Sequence, residues 1–69
     1  METRMNITLN GLPEWVPATT VADLIALKAL PPKGVAIAVN GEVIRSAMWP
    51  EARLADGDVV DIVTARQGG

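Results

Sequence analysis

Val35-Ala36-Ile37-Ala38-Val39-Asn40-Gly41-Glu42-Val43-Ile44 is the stretch on which the fold turns. Its first five residues follow Gly34 as a continuous run of small apolar side chains. They read as a strand with both faces at least partly covered. Asn40-Gly41 is a strong hairpin signal, because Asn and Gly tolerate the positive φ angles of a tight turn. Glu42-Val43-Ile44 is then the short return strand. Downstream, Ser46 to Trp49 forms a helical turn closed by Pro50. Asp56-Gly57-Asp58 marks a further turn, and Val59 to Val63 makes a last strand with Val60 and Ile62 on one face.

Upstream of that hairpin, Thr20 reads as a helix N-cap whose side-chain oxygen accepts from the N–H of Asp23. Asp23 sits in the positive first turn, where an acid is favourable. Val21, Leu24, Ile25 and Leu27 form an apolar stripe at helical spacing, and Ala22, Ala26 and Ala29 add helix propensity. Pro31-Pro32 ends the helix near Leu30, since a proline disfavours helical geometry in the residue before it. Earlier still, Met5-Asn6-Ile7-Thr8-Leu9 alternates apolar and polar residues, as a half-buried strand does. Asn10-Gly11 turns the chain, Leu12-Pro13 widens the loop, and Trp15-Val16 returns until Pro17 stops it. The order is β-β-α-β-β-β. One helix covering one face of a mixed sheet, between two hairpins, is an α+β arrangement of the β-grasp kind.

The composition limits the chemistry. Sixty-nine residues leave room for one domain, spanning 1–69. With 49% hydrophobic residues the chain is no disordered segment. It has no Cys and no His, so disulfides, the usual metal ligands, the best nucleophile and the usual neutral-pH base are all missing. A chain that is an enzyme on its own is therefore not expected. A net charge of −2 with scattered Lys and Arg argues against nucleic acid as a partner. No apolar run approaches a membrane span, and Met1 to Asn10 has no apolar core of the kind a secretory leader needs. A cytoplasmic setting without a membrane partner is the expectation.

The end of the chain carries the sharpest functional signal. Residues 65–69, Ala65-Arg66-Gln67-Gly68-Gly69, hold no core-forming side chain larger than Ala65 and read as a flexible tail. Five extended residues reach roughly 16 Å at about 3.3 Å each, enough to enter a partner's cleft. A free α-carboxylate has a pKa of about 3.5 and is ionised at neutral pH, which makes it a poor electrophile. Conversion to an acyl adenylate supplies a leaving group that a sulfur nucleophile can displace. Glycine suits such an end because it has no Cβ to crowd the carbonyl or the passage.

Val39-Asn40-Gly41-Glu42-Val43-Ile44-Arg45-Ser46, then Trp49, Leu54, Asp56-Gly57-Asp58-Val59-Val60-Asp61-Ile62-Val63 and Gly68-Gly69 together resemble the sulfur carrier proteins of thiamin biosynthesis. The likeness extends to the first strand and to Thr20-Val21-Ala22-Asp23-Leu24, so it covers nearly the whole chain. It implies a ubiquitin-like β-grasp fold. It also implies that an adenylating activating enzyme uses ATP on Gly69, that a thiocarboxylate forms there with sulfur from a donor protein, and that thiazole synthase receives the sulfur. On that reading Ala65, Arg66, Gln67 and Gly68 thread the partner's active site. No cofactor and no metal is expected to stay bound. The alternatives are the small subunit of molybdopterin synthase, which resembles this fold and ends in the same diglycine, and a non-catalytic β-grasp binding module. Relatives often carry Pro where Ile44 stands, and Leu12-Pro13-Glu14 reads as a lengthened first hairpin.

Three further features have definite expectations. Trp15 and Trp49 read as half-buried anchors of a small core rather than as docking contacts. Asp56, Asp58 and Asp61 read as the solvated rim of a turn, lacking the further ligands of a calcium loop. With Val35, Ile37, Val39, Val60 and Ile62 toward the helix, Ala36, Ala38, Val59 and Val63 point outward. That small apolar face is the expected protein-docking surface.

Overall fold

The computed structural model describes residues 4–17, 19–31 and 33–64. The elements are β1 (Arg4–Leu9), β2 (Leu12–Pro17), α1 (Val21–Leu27), β3 (Val35–Val39), β4 (Glu42–Ile44), a 3-10 turn (Ser46–Met48) and β5 (Val59–Thr64). The five strands form one mixed sheet in the order β2-β1-β5-β3-β4. β1 and β5 run parallel side by side at its centre, and the other pairings are antiparallel. This is the expected β-grasp topology.

Both hairpins close through two-residue turns with positive φ at each position. The angles are 50° and 86° at Asn10 and Gly11, and 53° and 85° at Asn40 and Gly41. Two positive φ values define the turn whose twist matches that of the flanking strands. The first hairpin therefore has no widened loop. Leu12 pairs directly with Leu9, and Pro13 lies opposite Thr8 within β2. Leu12 and Pro13 join the strand because β2 is the edge of the sheet. The alternation of the ladder turns the nitrogens of Pro13 and Pro17 away from β1, where no hydrogen is needed.

The helix starts as the sequence predicts. Its four leading N–H groups, which have no partner within any helix, are all satisfied. Thr20 N–H donates to the Asp23 carboxylate at 3.4 Å, and Asp23 N–H donates to the Thr20 hydroxyl at 3.2 Å. Val21 N–H donates to the Ala52 carbonyl at 2.8 Å and Ala22 N–H to the Trp49 carbonyl at 3.1 Å. Hydrogen bonds from Thr19 and the Thr20 backbone hold the Asp23 carboxyl below its ordinary pKa.

The helix ends sooner than Pro31-Pro32 implies. Its last residue is Leu27, and Ala29 adopts φ 56°. Ala29 N–H donates to the Ala26 carbonyl and Leu30 N–H to the Ile25 carbonyl. That pair of bonds is the Schellman closure, usually built around glycine. Leu27 is thereby left exposed, outside the apolar stripe, while Leu30 packs against the core in its place.

Among the described residues no polar or charged residue is buried. Ile7, Val16, Val21, Leu24, Ile37 and Val60 are fully buried, with Met5, Ile25, Trp49 and Leu54 around them. Trp49 is 8% exposed, and its indole N–H donates to the Ile44 carbonyl at 2.9 Å. Trp49 is thus the expected anchor. Trp15 is not: it is 63% exposed, because its pairing with Asn6 places it on the outer side of the sheet. The apolar run of β3 is covered unequally on its two faces, with Ala38 half-buried on the outer one. Ile37 is buried and Ala36 is exposed.

Candidate functional site

β5 is the element that leads to the chain's end. β3 pairs with it along its length, from Val39 opposite Val60 to Val35 opposite Thr64. On the other flank β1 pairs with only Val59 and Val60. β5 ends at Thr64, the residue before Ala65. Ala65, Arg66, Gln67, Gly68 and Gly69, which the sequence marks for the chemistry, lie outside the described residues.

The predicted outer face is present. Ala36 is paired with Val63, and Ala38 lies between Asp61 of β5 and Val43 of β4. Val63 is 64% exposed and Val43 is 71% exposed. The structure thus brings Ala36, Ala38 and Val63 together and adds Val43, which the sequence reading did not include. The alternation Glu42-Val43-Ile44 carried that signal, since Ile44 faces inward opposite Ile37. Val59 is also exposed on this face. It stands beyond Asp61, next to Thr8 of β1, at the border of the apolar patch. Arg4, Asn6 and Thr8 share the outer side of β1 and separate this patch from Pro13, Trp15 and Pro17 on the sheet edge.

The acids near β5 shape the backbone. The Asp56 carboxylate accepts from Asn6 N–H at 2.7 Å. The Asp58 carboxylate accepts from Ala55 N–H at 2.8 Å and from the Asn40 side-chain amide at 3.0 Å. Asp61 lies apart from both, on the outer face. Among the described residues no group of His, Cys, Asp or Glu is placed to hold a metal ion.

The asparagines of the two turns each take on a second task that the sequence reading missed. The Asn40 side-chain oxygen accepts from Val59 N–H at 2.9 Å, where β5 begins. The Asn10 side-chain oxygen accepts from Ile62 N–H at 2.7 Å, beyond the point where β1 has turned away. A cleft of about 310 Å³ opens beside Asn10, lined also by Leu9, Lys28, Leu30, Ile62 and Thr64. Lys28 forms an ion pair with Glu14 across the end of the helix. Among the described residues no helix is long and apolar enough to cross a membrane.

Comparison with known proteins places this geometry. The family model described as the ThiS family matches residues 5–69. The chain is 35% identical over 63 residues to the sulfur carrier protein ThiS of Thermus thermophilus, covering 91% of this chain and 98% of the relative. A crystal structure of the thiamine biosynthesis protein ThiS from Geobacter metallireducens superposes with a TM-score of 0.79 at 33% identity, covering 94% of this chain and all of the other. A solution structure of a thiamine biosynthesis protein from the same organism gives 0.78 at the same identity, with coverage of 94% and 88%.

Proposed function

The chain belongs to the ThiS family and is a sulfur carrier protein of thiamin biosynthesis rather than a catalyst, and from that premise we propose that Gly69 is the residue that bears the sulfur. The reading rests chiefly on one observation. The family match runs to Gly69, five residues beyond Thr64, where the central strand of the sheet ends.

The chemistry follows from the terminal carboxylate. Its oxygen attacks the α-phosphorus of ATP in the activating enzyme, pyrophosphate leaves, and an acyl adenylate forms. A sulfide ion, HS⁻, released by a donor protein attacks the carbonyl carbon, the carbon–oxygen bond to AMP breaks and AMP leaves, the sulfur loses its proton, and the chain ends in a thiocarboxylate. Thiazole synthase takes that sulfur. The carrier's own residues supply no acid, base or metal for these steps. They present the end of the chain, with Ala65, Arg66, Gln67 and Gly68 spanning the partner's entrance.

The outer face is the proposed docking surface. Ala36, Ala38, Val43 and Val63 make a small apolar patch on β3, β4 and β5, with Val59 at its border and Asp61 beside it. Apolar contacts of this kind supply affinity, while an exposed acid steers a basic partner and fixes orientation. Val63 lies two residues before Ala65, so a partner seated on the patch has the tail within immediate reach.

ATP–pyrophosphate exchange by the activating enzyme tests the assignment of Gly69. The full chain supports exchange, and a chain lacking Gly69 does not. Equal exchange with the shortened chain refutes it.

A further inference from the structure

We propose that Asn10 is a positioning residue for the carrier: its side chain ties down the far end of β5, the strand that ends at Thr64, and so holds that end ordered for the partner to bind. The inference rests on the carrier reading of Gly69 and adds to it a residue 59 positions away in sequence.

The two central strands do not end together. β1 stops at Leu9, opposite Val60, and the chain turns through Asn10-Gly11 into β2. β5 continues for four more residues to Thr64. Ladder alternation turns the backbone groups of Val60, Ile62 and Thr64 toward the β1 side. Val60 accepts there from Asn10 N–H at 2.9 Å. At Ile62 no strand remains, and the Asn10 side-chain oxygen takes the place of a backbone carbonyl at 2.7 Å. Past that point the β1 flank of β5 opens onto the cleft lined by Leu9, Lys28 and Leu30. Asn10 is therefore the last hydrogen-bonded tie on this flank among the described residues.

Residue 10 is suited to both roles. With φ at 50° it needs a residue that tolerates left-handed geometry, which glycine meets better than asparagine. Only asparagine or aspartate also offers an acceptor at the required reach. A tie two residues before Thr64 holds the strand in one conformation before docking. Without it, the partner must order that segment when it binds, at a cost that appears in the affinity for the carrier and not in the chemical step.

The test compares Asn10→Gly, which keeps the turn and removes the acceptor, with Asn10→Asp, which keeps both. Amide exchange is followed at Ile62 and, as a core reference, at Ile37. Steady-state adenylation is followed with the activating enzyme. In Asn10→Gly the Ile62 amide exchanges at least about tenfold faster relative to Ile37. Its KM as a carrier rises about fivefold, the loss of one net hydrogen bond, while kcat stays within about twofold. Asn10→Asp stays within about twofold of the parent on every measure. Unchanged Ile62 protection, an unchanged KM, or an Asn10→Asp variant that behaves like Asn10→Gly overturns the proposal. An unmodified parent chain that is not adenylated overturns the carrier reading of Gly69 and this proposal together. Failure of the proposal alone is distinguished by a parent chain that turns over normally.

Discussion

Replacing Ala29 by glycine is expected to stabilise the protein. Ala29 closes the helix at φ 56°, with its N–H on Ala26 and the next N–H on Ile25. An L-residue with a Cβ held in left-handed geometry costs about 1–2 kcal/mol relative to its right-handed form. Glycine removes that strain. It also gives the unfolded chain more freedom, which offsets the gain by about 0.4–1 kcal/mol. The first effect is the larger, so the net gain is about 0.5–1 kcal/mol. In a chain of this length that corresponds to a rise of roughly 3–7 °C in Tm. Ala29 is exposed, so no packing is lost on truncation. Thermal and urea unfolding followed by circular dichroism read the effect. Ala29→Val, a branched side chain in the same geometry, falls below the parent. An Ala29→Gly variant no more stable than the parent would refute the argument that this turn stores backbone strain.

Other outcomes follow from the same structure. Trp49→Phe removes the indole N–H from the Ile44 carbonyl and some buried volume, and lowers unfolding stability by about 1–3 kcal/mol in urea titrations. Asp23 has a lowered pKa in the folded state, so its contribution is present above the unfolded value of about 3.9 and fades as pH falls through the folded value. The stability gap between the parent and Asp23→Ala is therefore full at pH 6 and narrows below about pH 4; a gap independent of pH contradicts the capping account. Val63→Asp leaves the fold intact, since the side chain is exposed, and weakens binding to the activating enzyme about tenfold or more by titration calorimetry. Undiminished binding removes the outer face from the docking surface.

Where the signal is local, the sequence is a reliable guide. Asn10-Gly11 and Asn40-Gly41 each place two tolerant residues where two positive φ values are needed. Thr20 and Asp23 cap the helix by contacts three residues apart. The inward and outward sides of β3 and β5 follow from simple alternation. What was not legible depends on distant partners. Ala29 gives no hint that it will take a glycine-like conformation, because the bonds that hold it arise only once the helix has formed and Leu30 has found the core. Trp15 looks like a core residue until the register of the two-residue turn sets it opposite Asn6. The side-chain bonds of Asn10 and Asn40 to β5 span 52 and 19 residues, beyond any local pattern.

Sulfur on Gly69 is read by mass. Intact mass is measured after the chain is incubated with ATP, the activating enzyme of the thiamin pathway and a sulfide source, beside a chain lacking Gly69. The expected result is a gain equal to one sulfur in place of one oxygen, localised to Gly69 and absent from the shortened chain. A folded protein that shows no gain with an active enzyme, or an equal gain without Gly69, contradicts it.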